Sequence, residues 1–132
     1  MAWNFAADRP IYAQLVEQIQ ERIVSGRYPA GSRLPSVREL ATDAAVNPNT
    51  MQRALAQLEA EGLVCSQRTS GRFVTKEEDR IMEFKQALAQ KIVRDFLTQI
   101  GSLGYTRQDV MTLLSQLPDT LEIPDTSTKE GA

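Results

Sequence analysis

Two helix starts lie only a few residues apart in the first half of the chain, and their spacing constrains the fold more than any other feature. The first is at Ser36, which stands three residues before Glu39 and so has the spacing of a capping box. The second is at Asn47, a good helix cap, followed by Pro48, which suits a first helical position because no backbone N–H is needed there. Two helices joined this closely predict a helix-turn-helix.

The second of these helices opens with polar side chains. Asn49, Thr50, Gln52 and Arg53 project from its first turn and a half. A recognition helix enters the major groove of DNA by its N-terminal end, where Arg can pair with guanine, Asn or Gln with adenine, and a hydroxyl with phosphate. The pattern therefore predicts a helix that contacts DNA bases.

Apolar spacing and end signals define the neighbouring helices. A first helix follows Pro10 and ends near Gly26, because one stripe recurs every four residues at Ile11, Leu15, Ile19 and Ile23. The third helix is predicted from about Pro48 to Glu61, and it stops at Gly62, a residue suited to a left-handed cap.

Two short runs of apolar and β-branched residues follow, at 63–67 and 72–74, and the turn residues 68–71 join them. They predict a β-hairpin. A hairpin placed directly after a recognition helix is a wing, so residues 1–75 are predicted to form a winged helix-turn-helix domain.

The rest of the chain is predicted to be helical. A charged stretch at 76–80 begins a long helix whose apolar residues recur at three- and four-residue steps up to Leu103. Thr106 and Asp109 form a second capping-box pair, which starts a short helix that Pro118 ends. The fold class is therefore mainly α with a small β-hairpin, with a helical dimerisation domain at 76–118 and a disordered tail at 119–132.

The apolar stripe of the long helix admits two interpretations: it folds back on the winged domain, or it packs against a second copy of the chain. We favour the second copy, because one long helix with a short partner cannot close its own core, whereas two such pairs form a four-helix arrangement. A two-fold dimer predicts an inverted-repeat DNA site. The predicted dimerisation residues are Ile81, Phe84, Leu88, Ile92, Phe96, Ile100, Leu103, Val110, Leu113, Leu114 and Leu117.

The charge distribution is compatible with DNA binding although the net charge is −2. Residues 1–75 hold eight arginines against seven acids, and residues 76–132 hold seven bases against ten acids, so the balances are +1 and −3. Arg38, Arg53, Arg68 and Arg72 have few acidic neighbours in sequence. We expect a local basic face on the first domain.

Other classes of protein are disfavoured. No apolar run approaches the roughly 20 residues that span a bilayer, and the N-terminus does not resemble a signal peptide, so the expected location is the cytoplasm, with no membrane partner. With no histidine and a single cysteine, Cys65, neither a metal site nor a disulfide is expected, and Cys65 is interpreted as a buried filler. No nucleophile motif or phosphate loop occurs, so neither an enzyme nor a cofactor is expected.

The motifs together resemble the GntR family of bacterial transcription regulators over residues 10–75. The short helical tail and the start of the third helix resemble the YtrA-like branch, whose members have a winged helix-turn-helix and a small dimerisation domain. The wing departs from the family pattern, with Thr69 where a second glycine is common and Arg72 where a small residue is usual. The resemblance is carried by residues 10–12, Gly26, residues 31–41, residues 47–50 and residues 58–63.

This resemblance implies a sequence-specific transcription regulator, with repression as the predicted role, and it assigns DNA contacts position by position. Contacts fall at the start of the second helix, on the third helix and on the wing, where an arginine can enter a narrow minor groove. They are Ser36, Arg38, Asn47, Asn49, Thr50, Gln52, Arg53, Arg68, Gly71 and Arg72.

Several alternatives stay open at this stage. Ser36 and Asn47 can act as helix caps only, and Arg38 can pair with Glu39 or Asp43 instead of DNA. Trp3, with Phe5, is expected to cover the core, the alternative being contact with a partner subunit. The alternative function is a winged-helix module that binds another protein and no DNA. A small-molecule effector, if one exists, is unidentified, and the sequence names no residues for it.

Overall fold

The computed structural model describes residues 3–118, so the predicted tail at 119–132 lies outside the described residues. Five helices and one hairpin are present in this part of the chain, as predicted. In chain order they are α1 (Ile11–Val24), α2 (Val37–Ala44), α3 (Pro48–Ala60), β1 (Val64–Gln67), β2 (Gly71–Val74), α4 (Glu78–Gly101) and α5 (Arg107–Gln116).

Both predicted helix starts of the helix-turn-helix are confirmed by hydrogen bonds. The Ser36 hydroxyl accepts from the Glu39 backbone N–H at 3.1 Å, and the Glu39 carboxylate accepts from the Ser36 N–H at 2.9 Å. The Asn47 side-chain oxygen accepts from the Asn49 N–H at 2.7 Å, with Pro48 at the first helical position. These caps satisfy backbone donors that would otherwise lack partners at each helix start.

The turn between α2 and α3 depends on Ala45, which has a φ of 58° and lies in the left-handed region. This conformation ends α2 and lets the Val46 N–H donate to the Ala41 carbonyl at 3.0 Å. A side chain with a Cβ is strained in this region, and glycine is not. The sequence alone does not indicate a left-handed residue at this position, because alanine favours the right-handed helical conformation.

We expect Ala45→Gly to raise the free energy of unfolding by about 0.5–1 kcal/mol, because it removes left-handed strain of about 1–2 kcal/mol at some cost in chain entropy. Urea unfolding measures the change. The matched control, Ala87→Gly, alters an exposed position inside α4 and should destabilise the protein by a similar amount. Equal losses of stability in both variants would contradict the strain at Ala45.

The wing is a two-stranded antiparallel hairpin with the register Val64↔Val74 and Gln67↔Gly71. Its base is attached to the segment that precedes α2. The Leu34 N–H donates to the Arg72 carbonyl at 2.8 Å, and the Val74 N–H donates to the Ser32 carbonyl at 2.8 Å. Backbone hydrogen bonds therefore join the wing to the segment just before α2, and they fix the position of the wing relative to the start of that helix.

The interpretation of Cys65 as a buried filler is wrong, because its side chain is exposed. Side chains alternate between the two faces of a strand. Val64 is buried in the core, so its neighbour Cys65 faces solvent.

One hydrophobic core joins α1, α2, α3 and the hairpin. Trp3 and Phe5 pack against it, which confirms that they cover the core. The Trp3 indole N–H donates to Asp43 at 2.8 Å, and the Arg22 guanidinium lies 3.8 Å from the Trp3 ring centroid. The fully buried larger side chains are Leu15, Ile19, Ile23, Met51, Leu55, Leu58, Leu63 and Val74.

The chain separates into two compact units, with the division after Ala89 inside α4. In the first unit, Ile81 and Phe84 are partly buried against the core of the winged domain. This part of the stripe therefore folds back onto its own domain, the alternative that the sequence left open. That Ile81 and Phe84 also contribute to a dimer interface stays a prediction.

The second unit exposes most of its apolar side chains. Val110 is buried, whereas Ile92 is 64% exposed and Leu103 is 72% exposed.

The capping box that starts α5 is confirmed, with the Asp109 N–H donating to Thr106 at 3.1 Å and the Thr106 N–H donating to Asp109 at 2.9 Å. Among residues 3–118, none of the helices is long and apolar enough to cross a membrane.

Candidate nucleic-acid interface

The N-terminal half of α3 separates polar from apolar side chains. Asn49, Gln52 and Arg53 are exposed, while Met51 and Ala54 on the opposite side are fully buried. Asn47 is also exposed and Thr50 is half-buried. The residues predicted to contact DNA from this helix therefore form one accessible surface on a helix whose other face is anchored in the core.

Arg53 is held by an aromatic ring that the sequence analysis did not single out. Its guanidinium carbon lies 4.2 Å from the ring centroid of Tyr12, which is half-buried at the start of α1. The Tyr12 hydroxyl donates to the Gln57 side-chain oxygen at 3.4 Å. No local pattern signals these contacts, because Tyr12 and Arg53 are brought together only when α1 packs on α3.

At the start of α2, Ser36 and Arg38 are both exposed. The carboxylates that were alternative partners for Arg38 are engaged elsewhere: Glu39 accepts from Ser36, and Asp43 accepts from Trp3. The backbone hydrogen bond from Ser36, followed by its hydroxyl, lowers the pKa of Glu39. The capping role of Ser36 is thus present whatever else this residue contacts.

The wing presents Arg68 at its turn, where the side chain is exposed. Gly71 has a φ of +99°, and a Cβ placed there would lie 3.2 Å from Nε of Arg33. The side chain of Arg33, an exposed cation that the sequence analysis did not select, therefore passes close to the wing glycine. An antiparallel β-bridge between Arg33 and Phe73 of β2 explains this proximity. The two residues are 40 positions apart, so the sequence pattern does not indicate it.

Arg72 is placed differently from the other predicted wing residues. Its Nε lies 2.9 Å from a carboxylate oxygen of Glu59 near the end of α3, and its side chain is only 20% exposed. Because Nε is engaged by Glu59, a DNA contact by Arg72 uses its remaining N–H donors or requires this ion pair to open. In this structure the pair instead ties the wing to the recognition helix, and the assignment of Arg72 to DNA stays a prediction.

The Glu59–Arg72 pair leads to a pH-dependent prediction. Burial raises the pKa of Glu59, but hydrogen bonds from Arg72 and Ser66 outweigh it, so the pKa lies below the ordinary value of 4.5. A carboxyl with a depressed folded-state pKa stabilises the protein above its unfolded pKa, and that stabilisation is lost as the pH falls through the folded value. Glu59→Gln should therefore lower stability at pH 7 by less than about 1 kcal/mol, and the difference should shrink below about pH 4.

Urea unfolding at both pH values measures this difference. The control Glu83→Gln removes the same charge from an exposed position on α4 and should change stability little at pH 7. A Glu59→Gln deficit that persists unchanged at low pH would contradict the ion pair as its cause.

Within residues 3–118, no group of three or more His, Cys, Asp or Glu side chains could hold a metal ion. The chemistry of the surface is instead that of hydrogen-bond donors and cations. Amide and hydroxyl groups stand on the first turn of α3, and exposed arginines occur on α2, on α3 and at the wing turn. This combination suits an anionic polymer with readable base edges.

Comparison with known proteins identifies the same region. The model of the family described as "Bacterial regulatory proteins, gntR family" matches residues 11–74, which run from the start of α1 to the end of β2. A regulator of Bacillus subtilis, YhcF, is 36% identical over 108 residues, covering 82% of this chain and 89% of its own. The repressor YtrA of the same organism is 37% identical over 90 residues, covering 64% and 69%.

Solved structures resemble this chain over different shares of its length. A GntR family transcriptional regulator from Listeria monocytogenes has a TM-score of 0.81 at 35% identity, covering 86% of this chain and 100% of that one. The DNA-binding domain of AraR in complex with operator ORX1 has a TM-score of 0.51 at 28% identity, covering 55% and 93%. The shorter match thus concerns a domain that was solved bound to DNA.

Proposed function

The chain belongs to the GntR family of bacterial regulatory proteins, and on that premise we propose that it represses transcription by binding an inverted-repeat operator as a homodimer. Its relatives are transcription regulators, so the chain is a DNA-binding regulator with a winged helix-turn-helix and not an enzyme. The operator symmetry, the dimer and the direction of regulation are the proposed parts.

The observation that carries the proposal is the exposed polar end of α3. Asn47 caps the helix through its side-chain oxygen, and Asn49 and Gln52 project from the following turn, exposed to solvent. Amide side chains at these positions can pair with the N6 and N7 atoms of adenine in the major groove. Because the opposite face of α3 is packed in the core, the helix can enter the groove as part of a rigid domain.

Homodimerisation is supported by the apolar side chains that the second unit exposes. Ile92 and Phe96 on α4, and Leu114 and Leu117 on α5, are each more than 40% exposed. Large apolar side chains exposed in such number on one small unit are typical of an interaction site. A second copy supplies a surface of the same chemistry and size, and two-fold symmetry then presents two recognition helices to half-sites about one helical turn apart.

The direction of regulation rests on a relative. YtrA, similar over 90 residues, is named a repressor. A regulator that occupies an operator blocks access to the DNA beneath it. The proposed location is the cytoplasm, where the DNA of a bacterium lies.

Selection of bound sequences from a random duplex pool tests the proposal, followed by salt titration on the enriched site. A palindromic consensus with a steep inverse dependence of affinity on salt is the expected result, because neutralised phosphates release counterions. Recovery of no enriched sequence would contradict sequence-specific regulation and favour the alternative, a winged-helix module that binds protein. In that case Ala substitutions at Arg38 and Arg53 would leave all binding intact.

A further inference from the structure

Tyr12 joins the start of α1 to two residues of α3 that are one helical turn apart. The guanidinium carbon of Arg53 lies 4.2 Å from its ring centroid, and its hydroxyl donates to the Gln57 side chain at 3.4 Å. Tyr12 itself is half-buried and packs against the hydrophobic core. Packing against the core therefore restricts the Tyr12 ring, while one ring face contacts Arg53 and the hydroxyl contacts Gln57.

An exposed arginine normally samples many side-chain rotamers, and ordering it costs about 2 kcal/mol. Stacking on a fixed aromatic ring removes part of that cost before any ligand is bound. The five N–H donors of a guanidinium lie in its own plane, so contact with the ring face leaves donors at the edge for another acceptor. Arg53 is exposed, which means that an acceptor from outside the protein can reach it.

We propose that Tyr12 is a positioning residue for DNA binding, which holds Arg53 in place to bind a backbone phosphate at the edge of the groove. The inference rests on the proposed function and deepens it. Arg53 lies on the side of α3 that faces α1, together with Gln57, whereas a base edge is approached from the helix tip. A phosphate is the acceptor on that flank, and an ordered arginine binds it with a smaller loss of entropy.

The test compares Tyr12→Leu, Arg53→Ala and the double variant on the selected operator at several salt concentrations. Each single variant should weaken binding by about tenfold, and the double variant should be no weaker than Arg53→Ala, because both changes remove the same contact. Each should also reduce the slope of log affinity against log salt by about 1, with base preference unchanged. Tyr12→Phe keeps the ring and should retain most of the affinity.

Tyr28→Leu is the matched control, since Tyr28 is another half-buried tyrosine packed against the same core. It should lower the unfolding temperature without altering the salt slope, which separates positioning from general stability. Additive losses in the double variant, an unchanged salt slope in Tyr12→Leu, or tighter binding by Tyr12→Leu would each overturn the inference. If the wild type selects no sequence at all, the proposed function fails instead, so the two failures are distinguishable.

Discussion

Arg38→Ala should weaken binding to the selected operator by about 10- to 100-fold, because one well-oriented arginine contact to DNA is worth about 1–3 kcal/mol. Arg38 is exposed on the first turn of α2. The two acids nearest to it in sequence are committed to Ser36 and Trp3, so neither is reserved for an ion pair with this arginine. The expected loss is therefore a loss of contact with DNA rather than of folding.

Operator titration by fluorescence anisotropy measures the change, with thermal unfolding as the check on stability. Lys91→Ala serves as the control, since it removes one positive charge from an exposed position on α4 that no DNA-contact prediction includes. Its affinity should stay within about twofold of the wild type once the salt concentration is matched. Equal losses in both variants would show that total charge, and not the position of Arg38, governs binding.

Phe96→Glu should convert the proposed dimer to monomers and lower operator affinity by about 10²- to 10⁴-fold, which is the gain expected from linking two half-site contacts. Phe96 is 42% exposed in the single chain, and it belongs to the apolar stripe of α4 together with Ile92 and Ile100. A carboxylate buried between two copies of this stripe has no partner there and carries a large desolvation cost. In the monomer the same carboxylate is solvated, so the fold should survive.

Analytical ultracentrifugation measures the change in mass, and circular dichroism tests whether the helices persist. Gln90→Glu is the control, because it adds the same charge to an exposed position on the opposite side of α4. That variant should remain dimeric and bind the operator normally. A Phe96→Glu protein that stays dimeric would contradict the predicted interface, and a wild type that is monomeric at micromolar concentration would contradict dimerisation altogether.

Much of the architecture could be predicted because the decisive signals are local. Ser36, Asn47 and Thr106 each cap a helix as their side chains predict, since a cap is made by residues two or three positions apart. The end of α3 at Ala60 follows from the same kind of signal, because Gly62, two residues later, has a φ of +84°. Helix starts, helix ends and the wing are therefore properties of short segments.

Sequence patterns say less about a side chain when its orientation or its partner depends on how the elements pack. The sequence analysis interprets Cys65 as a buried filler, but the alternation of β1 directs its side chain to solvent because Val64 is buried. The place of Arg72 on the wing predicts a DNA contact, which stays a prediction, and the structure adds an ion pair with Glu59 on α3. Such pairs depend on how the hairpin packs beside the helix, which residue types alone do not specify.

The amino-acid sequence by itself determined the order of helices, their caps, the wing and the polar end of the recognition helix, because each follows from interactions within about one helical turn or from apolar periodicity. Only the tertiary structure decided which cations remain available to DNA. Packing of α1 on α3 places Tyr12 under Arg53, and packing of the hairpin beside α3 pairs Arg72 with Glu59. Long side chains can reach several partners, and the fold selects among them by distance.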